Sequence, residues 1–117
     1  MTGEAFARYV AENWGIEGDH PFVTSPDATA FRHPGNKKWF ALMMEVPAVK
    51  LGSKREGSVT VVNAKCDAAL QSLLMQQKGF YPAYHMNKQH WLSAVLQEIE
   101  EEKWLQLLIE ESYRATK

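Results

Sequence analysis

The order in which two kinds of hydrophobic spacing alternate constrains this chain more than any other feature. Apolar residues recur every three or four positions near the start (Phe6, Tyr9, Val10, Trp14), in the middle (Cys66, Ala69, Leu70, Leu73, Leu74) and near the end (Leu105, Leu108, Ile109). Such spacing lays an apolar stripe along a helix, whereas the short aromatic and aliphatic runs between these stretches suit strands. The pattern predicts a helix over 3–14, strands over 28–32, 38–44 and 59–62, a helix over 63–78, strands over 81–84 and 90–96, and a closing helix over 99–114. A doubly wound sheet would need repeated strand-helix units, and this order lacks them. Hairpin-like neighbours instead predict an α+β fold, an antiparallel sheet with helices on one face.

Local punctuation supports these boundaries. Thr2 can cap the first helix and Gly15 can stop it. Pro34-Gly35 marks a hairpin turn in which Gly35 or Asn36 takes positive φ. Asn63 reads as the cap of the middle helix and Gly79 as its stop, while Glu98, Glu100, Glu101 and Glu102 suit the positive N-terminus of the last helix. The connection 15–27 is expected to pack through Ile16, Phe22 and Val23. Residues 47–58, with two glycines and four charged side chains, read as a mobile arm.

With 117 residues, 45% of them apolar and 23% charged, the chain has the composition of one folded domain spanning 1–117. Its longest apolar run, Trp39 to Met44, falls far short of the roughly 18 residues that cross a bilayer, so no membrane association is expected. The start of the chain has no secretory pattern, and a single cysteine, Cys66, suits a reducing compartment, so cytoplasm is the expected location. The net charge of −1 is unevenly spread: residues 31–90 carry nine Lys or Arg against three acids, and the rest carry four against eleven. A basic middle between acidic ends suits a polyanionic partner, although a solvated helix face gives the same count.

The densest functional constellation is Tyr84-His85-Met86-Asn87-Lys88-Gln89-His90-Trp91. His85 and His90, five apart, share neither a helix face nor a strand face and fall short of the three protein ligands of a catalytic zinc, so neither metal nor cofactor is expected. The same residues can instead build a tight turn, with Trp91 anchoring the next strand in the core, where truncation to Ala would cost about 3–5 kcal/mol. Cys66 fits a helix face beside Leu70 and Leu73 as a small hydrophobe. No phosphate-binding glycine loop, nucleophile elbow or CxxC pair is present, and a non-enzymatic protein is expected. Lys37 and Lys38 at the hairpin tip, with Lys50, Lys54 and Arg55 in the long connection, can reach phosphates, though surface cations equally serve solubility.

The Tyr84 to Trp91 stretch, preceded by Pro82, resembles the signature of the YjbR/MmcQ family. Lys38-Trp39-Phe40-Ala41, Asn63-Ala64-Lys65-Cys66-Asp67 and Glu110-Glu111-Ser112-Tyr113 fit the same family in the same order. The resemblance implies a CyaY-like (frataxin-like) two-layer sandwich and a DNA-binding role through hairpin wings. The resulting reading is a monomeric, non-enzymatic protein that meets the DNA backbone weakly and largely without sequence preference. Its contacts are Lys37, Lys38, Lys50, Lys54, Arg55, His85, Asn87 and Lys88. The alternative is a small-ligand or protein-binding accessory or resistance module with a pocket near His85–Trp91. A pI near 6.4 weighs against a dedicated nucleic-acid binder.

Overall fold

In the computed structural model, which describes residues 1–117, Thr2 is extended and its hydroxyl accepts from the Ala5 amide, starting α1 (Gly3–Trp14). Gly15 ends α1 at φ +65°, its N–H bonded to the Ala11 carbonyl. There follow β1 (Thr29–Arg32), β2 (Trp39–Pro47), β3 (Ser58–Lys65), α2 (Ala68–Leu74), β4 (Phe80–Pro82), β5 (Trp91–Val95) and α3 (Glu102–Ala115). The strands form one sheet in the order β1-β2-β3-β5-β4, with every neighbouring pair antiparallel. The fold is therefore α+β, as the alternation of spacings predicts.

Strand alternation sorts the sheet's side chains into two layers. On one side Val62, Ala64, Leu92 and Ala94 join Phe6 and Val10 of α1, Leu74 of α2 and Leu105, Leu108 and Ile109 of α3 in the main core. A β-bulge contributes to this layer. Phe31 pairs with Ala41 but Arg32 pairs with Trp39, so Phe40 is the extra residue, and both Phe40 and Ala41 enter the helix-side core. On the other side Val46, Ala48, Val59, Val61 and Val95 form a second cluster, against which Leu51, Tyr81 and Tyr84 pack. That face is covered by the β2–β3 and β4–β5 connections, whereas all three helices contribute to the opposite core.

Both edges of the sheet are blunted against further pairing. Asp19 exchanges both backbone hydrogen bonds with Ala30 along the free side of β1, and its carboxylate grips the Arg32 guanidinium in a two-pronged pair at 2.7 and 2.8 Å. At the other edge β4 is only three residues long and ends in Pro82, which has no N–H to donate.

Several local expectations are corrected. Asn63 is no helix cap: β3 runs on to Lys65, and Asp67 caps α2 through the Leu70 amide. Cys66 sits between strand and helix, and Leu73 is 40% exposed. Gly79 does have positive φ, +100°, but lies beyond the end of α2. At the β1–β2 turn the left-handed residue is Lys37 (φ +65°), because the Asn36 side chain accepts from the Lys38 amide and donates to the Thr116 carbonyl. Val23 is 97% exposed and does not pack. Glu98 is buried short of α3, and Trp91 is half-buried and belongs to neither core cluster.

Candidate functional site

The covered face of the sheet is organised by two buried polar residues. Asn63 of β3 and Ser93 of β5 stand opposite each other in the register, both with no solvent exposure. The Ser93 hydroxyl donates to Asn63 Oδ1 and accepts from the Tyr84 amide at 2.9 Å, while Asn63 Nδ2 donates to the Tyr84 carbonyl at 3.3 Å. The strands thus hold both backbone polar groups of Tyr84. The next residue, His85, is left-handed at φ +57°, a conformation that costs a residue with a Cβ about 1–2 kcal/mol. Such strain persists where the surroundings over-determine it, and it is typical of functional turns. The Tyr84 and His85 rings meet edge to face at 4.0 Å and form a ridge shared by two clefts.

The first cleft, of about 340 Å³, lies between the two connections. Lys50 and Leu51 line one wall, and Pro82, Tyr84, His85 and Lys88 the other. Neither lysine is in an ion pair. The second cleft, of about 530 Å³, lies on the β1 side of the ridge over Leu42 and Met44, with Phe22 and Trp39 along its far wall.

Of the eight residues singled out in the sequence, Lys50, His85 and Lys88 therefore converge although 38 residues separate the two lysines. Lys54 is exposed on the same connection without an ion pair. Arg55 is committed elsewhere, donating to the Gln97 carbonyl at 2.9 Å and lying 3.8 Å from the Glu98 carboxylate. Asn87 has a structural role: its side chain accepts from the Gln89 amide and its carbonyl from those of His90 and Trp91, closing the turn into β5. Lys37 and Lys38 are exposed before the start of β2, the end of that strand away from Lys50, and do not line this cleft.

The β2–β3 connection is a docked structure, which corrects the expectation of a mobile arm. Ala48–Leu51 form a 3-10 turn with Ala48 buried, and the Ser53 amide bonds back to the Ala48 carbonyl. The Ser53 hydroxyl donates to Glu98 at 2.7 Å, and the Tyr81 phenol donates to the other carboxylate oxygen at 2.5 Å. Burial, reinforced by that bond to a carboxylate, pushes the Tyr81 phenol up from its ordinary pKa.

Cys66 is buried at the opposite end of the sheet, just past β3, its amide bonded to the His90 carbonyl at 2.7 Å. Burial, with the charges of Asp67 and Glu111, raises its thiol to about 12, so no thiolate nucleophile forms near neutral pH. Sequence reasoning missed Asn63, Ser93 and the Phe22–Trp39 wall. The available signal was the polar residue in Val59-Thr60-Val61-Val62-Asn63-Ala64, which suits a buried strand with an internal hydrogen bond as well as a helix cap.

Comparison with known proteins decides the family. A family model described as YjbR matches residues 14–115, nearly the whole chain. The chain belongs to the YjbR family. A YjbR-type relative, the uncharacterized protein YyaQ of Bacillus subtilis strain 168, is 36% identical over 117 residues, covering 100% of this chain and 99% of YyaQ. A crystal structure of a Pseudomonas syringae protein superposes with a TM-score of 0.94 at 38% identity, covering all of both chains, and an NMR structure from the same organism gives 0.87. At 20% identity, Deinococcus radiodurans protein DR2400 shares the fold alone, with a TM-score of 0.60 over 91% of this chain and 72% of its own. The YjbR match starts at Trp14, so most of α1 lies outside it, while YyaQ and the Pseudomonas protein extend the likeness across the helix. No helix is long and apolar enough to cross a membrane.

Proposed function

We propose that this YjbR-family protein binds the phosphate backbone of nucleic acid, without catalysis, in the cleft between its β2–β3 and β4–β5 connections. The observation that carries this reading is the convergence of Lys50, Lys88 and His85, two unpaired ammonium groups and an imidazole drawn from two separate loops, on one open cleft. Phosphate oxygens are satisfied by such donors without any base being read, so the binding is largely independent of sequence. Lys54 extends the positive rim. Lys37 and Lys38, at the far end of β2, make at most a second and separate contact.

Each phosphate neutralised by a lysine releases counterions, so log affinity falls linearly with log salt by about 0.9 per contact on duplex DNA. Two to four contacts give dissociation constants on the order of 1–100 μM at low salt. A salt-titrated anisotropy assay on duplex DNA is expected to give a slope between about −2 and −4. The double change Lys50→Glu and Lys88→Glu is expected to abolish binding at an unchanged melting temperature, because exposed charges contribute little to stability. Lys37→Glu with Lys38→Glu weakens it less. An absence of wild-type binding at low salt and high micromolar protein, or full binding by the Lys50/Lys88 variant, would sink the proposal.

A further inference from the structure

We propose that the second cleft, on the β1 side of the Tyr84–His85 ridge, is a site for a flat aromatic organic cation. This inference is independent of the phosphate-binding cleft and uses neither Lys50 nor Lys88.

The walls of the cleft are aromatic on both sides. Phe22 and Trp39 pack edge to face at 5.6 Å along the β1 side. The Tyr84–His85 pair faces them from above β3, where Asn63 holds the Tyr84 backbone. Between these walls β2 supplies the floor, Leu42 and Met44, and Met86 closes one side. Edge-to-face pairs leave a π-face free, and thioethers pack favourably against rings, so the lining suits a flat guest. A volume of about 530 Å³ falls within the 300–1,000 Å³ usual for small-molecule sites and accommodates about three fused rings.

Charge decides what kind of ring. The lining includes one carboxylate that faces the cleft, Asp27, and no lysine or arginine; the Glu45 carboxylate lies on the helix-side face beside the Thr60 hydroxyl. The Glu45 backbone amide holds Asp27 in place, donating to its Oδ2 at 3.4 Å. Aromatic faces attract cations through the ring quadrupole, and the Asp27 carboxylate at the rim adds to that attraction while repelling anions. Phe22 is 37% exposed, a large apolar ring left open to solvent at the mouth of the cleft. A phosphate-bearing nucleotide meets the wrong sign of charge here, which separates this cleft from its neighbour across the ridge.

The test uses the full-length protein with methyl-labelled methionine, whose Met44 and Met86 signals report on the floor and side of the cleft. Proflavine, a flat cation, is expected to shift both signals with a micromolar dissociation constant, and the anion 1-anilinonaphthalene-8-sulfonate is expected to leave them in place. Asp27→Asn keeps the hydrogen-bonding shape while removing the charge, and is expected to weaken proflavine several-fold. Phe22→Ala, at an exposed position, weakens it similarly, and Lys50→Glu with Lys88→Glu leaves it unchanged. The proposal is overturned if proflavine leaves Met44 and Met86 unmoved, if the anion binds as well as the cation, or if Asp27→Asn has no effect. A short thymidine oligonucleotide that shifts the same two signals overturns it as well, since the cleft would then belong to the nucleic-acid surface.

Discussion

Asn63 concentrates more consequence in one side chain than any other residue of the covered face. It lies mid-strand, wholly buried, and its amide is satisfied only by Ser93 and by the backbone of the residue that precedes a strained histidine. Asn63→Ala leaves a buried hydroxyl and carbonyl short of partners, an expected loss of about 1–3 kcal/mol. Urea denaturation measures that loss, and altered His85 chemical shifts accompany it; a variant as stable as wild type with an unmoved His85 contradicts the role assigned to Asn63. Trp91 carries less weight than its size suggests. Because it is half-buried, Trp91→Ala is expected to cost about 1–2 kcal/mol, below the roughly 3–5 kcal/mol of a core aromatic. His33 supplies a pH dependence. It is buried between Phe40 and Tyr113 with Nε2 2.8 Å from the Thr116 hydroxyl, and burial, opposed by a backbone bond at Tyr113 and aided by Lys117, lowers its pKa below 6.5. Between the lowered folded value and about 6.5 the unfolded chain holds a proton that the folded chain does not, so stability falls as pH drops through that window and is full above it. Thermal melts of wild type and His33→Gln across pH 5 to 8 check the sign: the wild type loses stability on acidification over this range more steeply than the variant.

At the scale of elements, α1, the β1–β2 hairpin and the overall order of helices and strands were legible because local signals and tertiary demands agree there. Thr2 and Gly15 cap what the apolar spacing already defines. The middle helix was misread for an identifiable reason. Asn63 and Asp67 both have side chains that cap helices, and nothing local tells which one the sheet will claim; β3 extends because Asn63, Ala64 and Lys65 pair with Ser93, Leu92 and Trp91 some thirty residues later. The candidate site was legible in its lysines and in His85 but not in its walls, since Phe22, Trp39 and Tyr84 meet only through the fold. Gly79 marks a second long-range constraint. A Cβ there would lie 2.8 Å from Ile99 Cδ1 and 3.2 Å from the Glu98 backbone, at φ +100°. Gly79→Ala is therefore expected to cost about 2–4 kcal/mol by chemical denaturation, combining conformational strain and overpacking. The docked β2–β3 connection offers a gentler probe. Ser53→Ala removes its bond to Glu98 for about 1 kcal/mol, and amide exchange is expected to accelerate at Ser53–Arg55 before it does in β3. Uniform acceleration across both would mean that the connection does not open on its own.

For the whole molecule, the two faces of the sheet divide the work. The helix-side face holds the larger core, and the opposite face presents two clefts separated by a ridge that the strands themselves pin in place. Changes in the connections can therefore reshape the clefts while leaving most of the folding free energy in the other layer. Both margins of the sheet are also blunted, by the Asp19–Arg32 clasp on one side and Pro82 on the other. A margin with few free amides gives an incoming strand little to copy. Light scattering is accordingly expected to report one copy per particle from micromolar to millimolar protein, and Pro82→Val together with Asp19→Ala to introduce concentration-dependent association. A doubled mass in the wild type at low concentration would count against this. The clasp and the proline thus act as bookends, leaving an incoming strand of the molecule's own kind few positions from which to lengthen the sheet into a fibril.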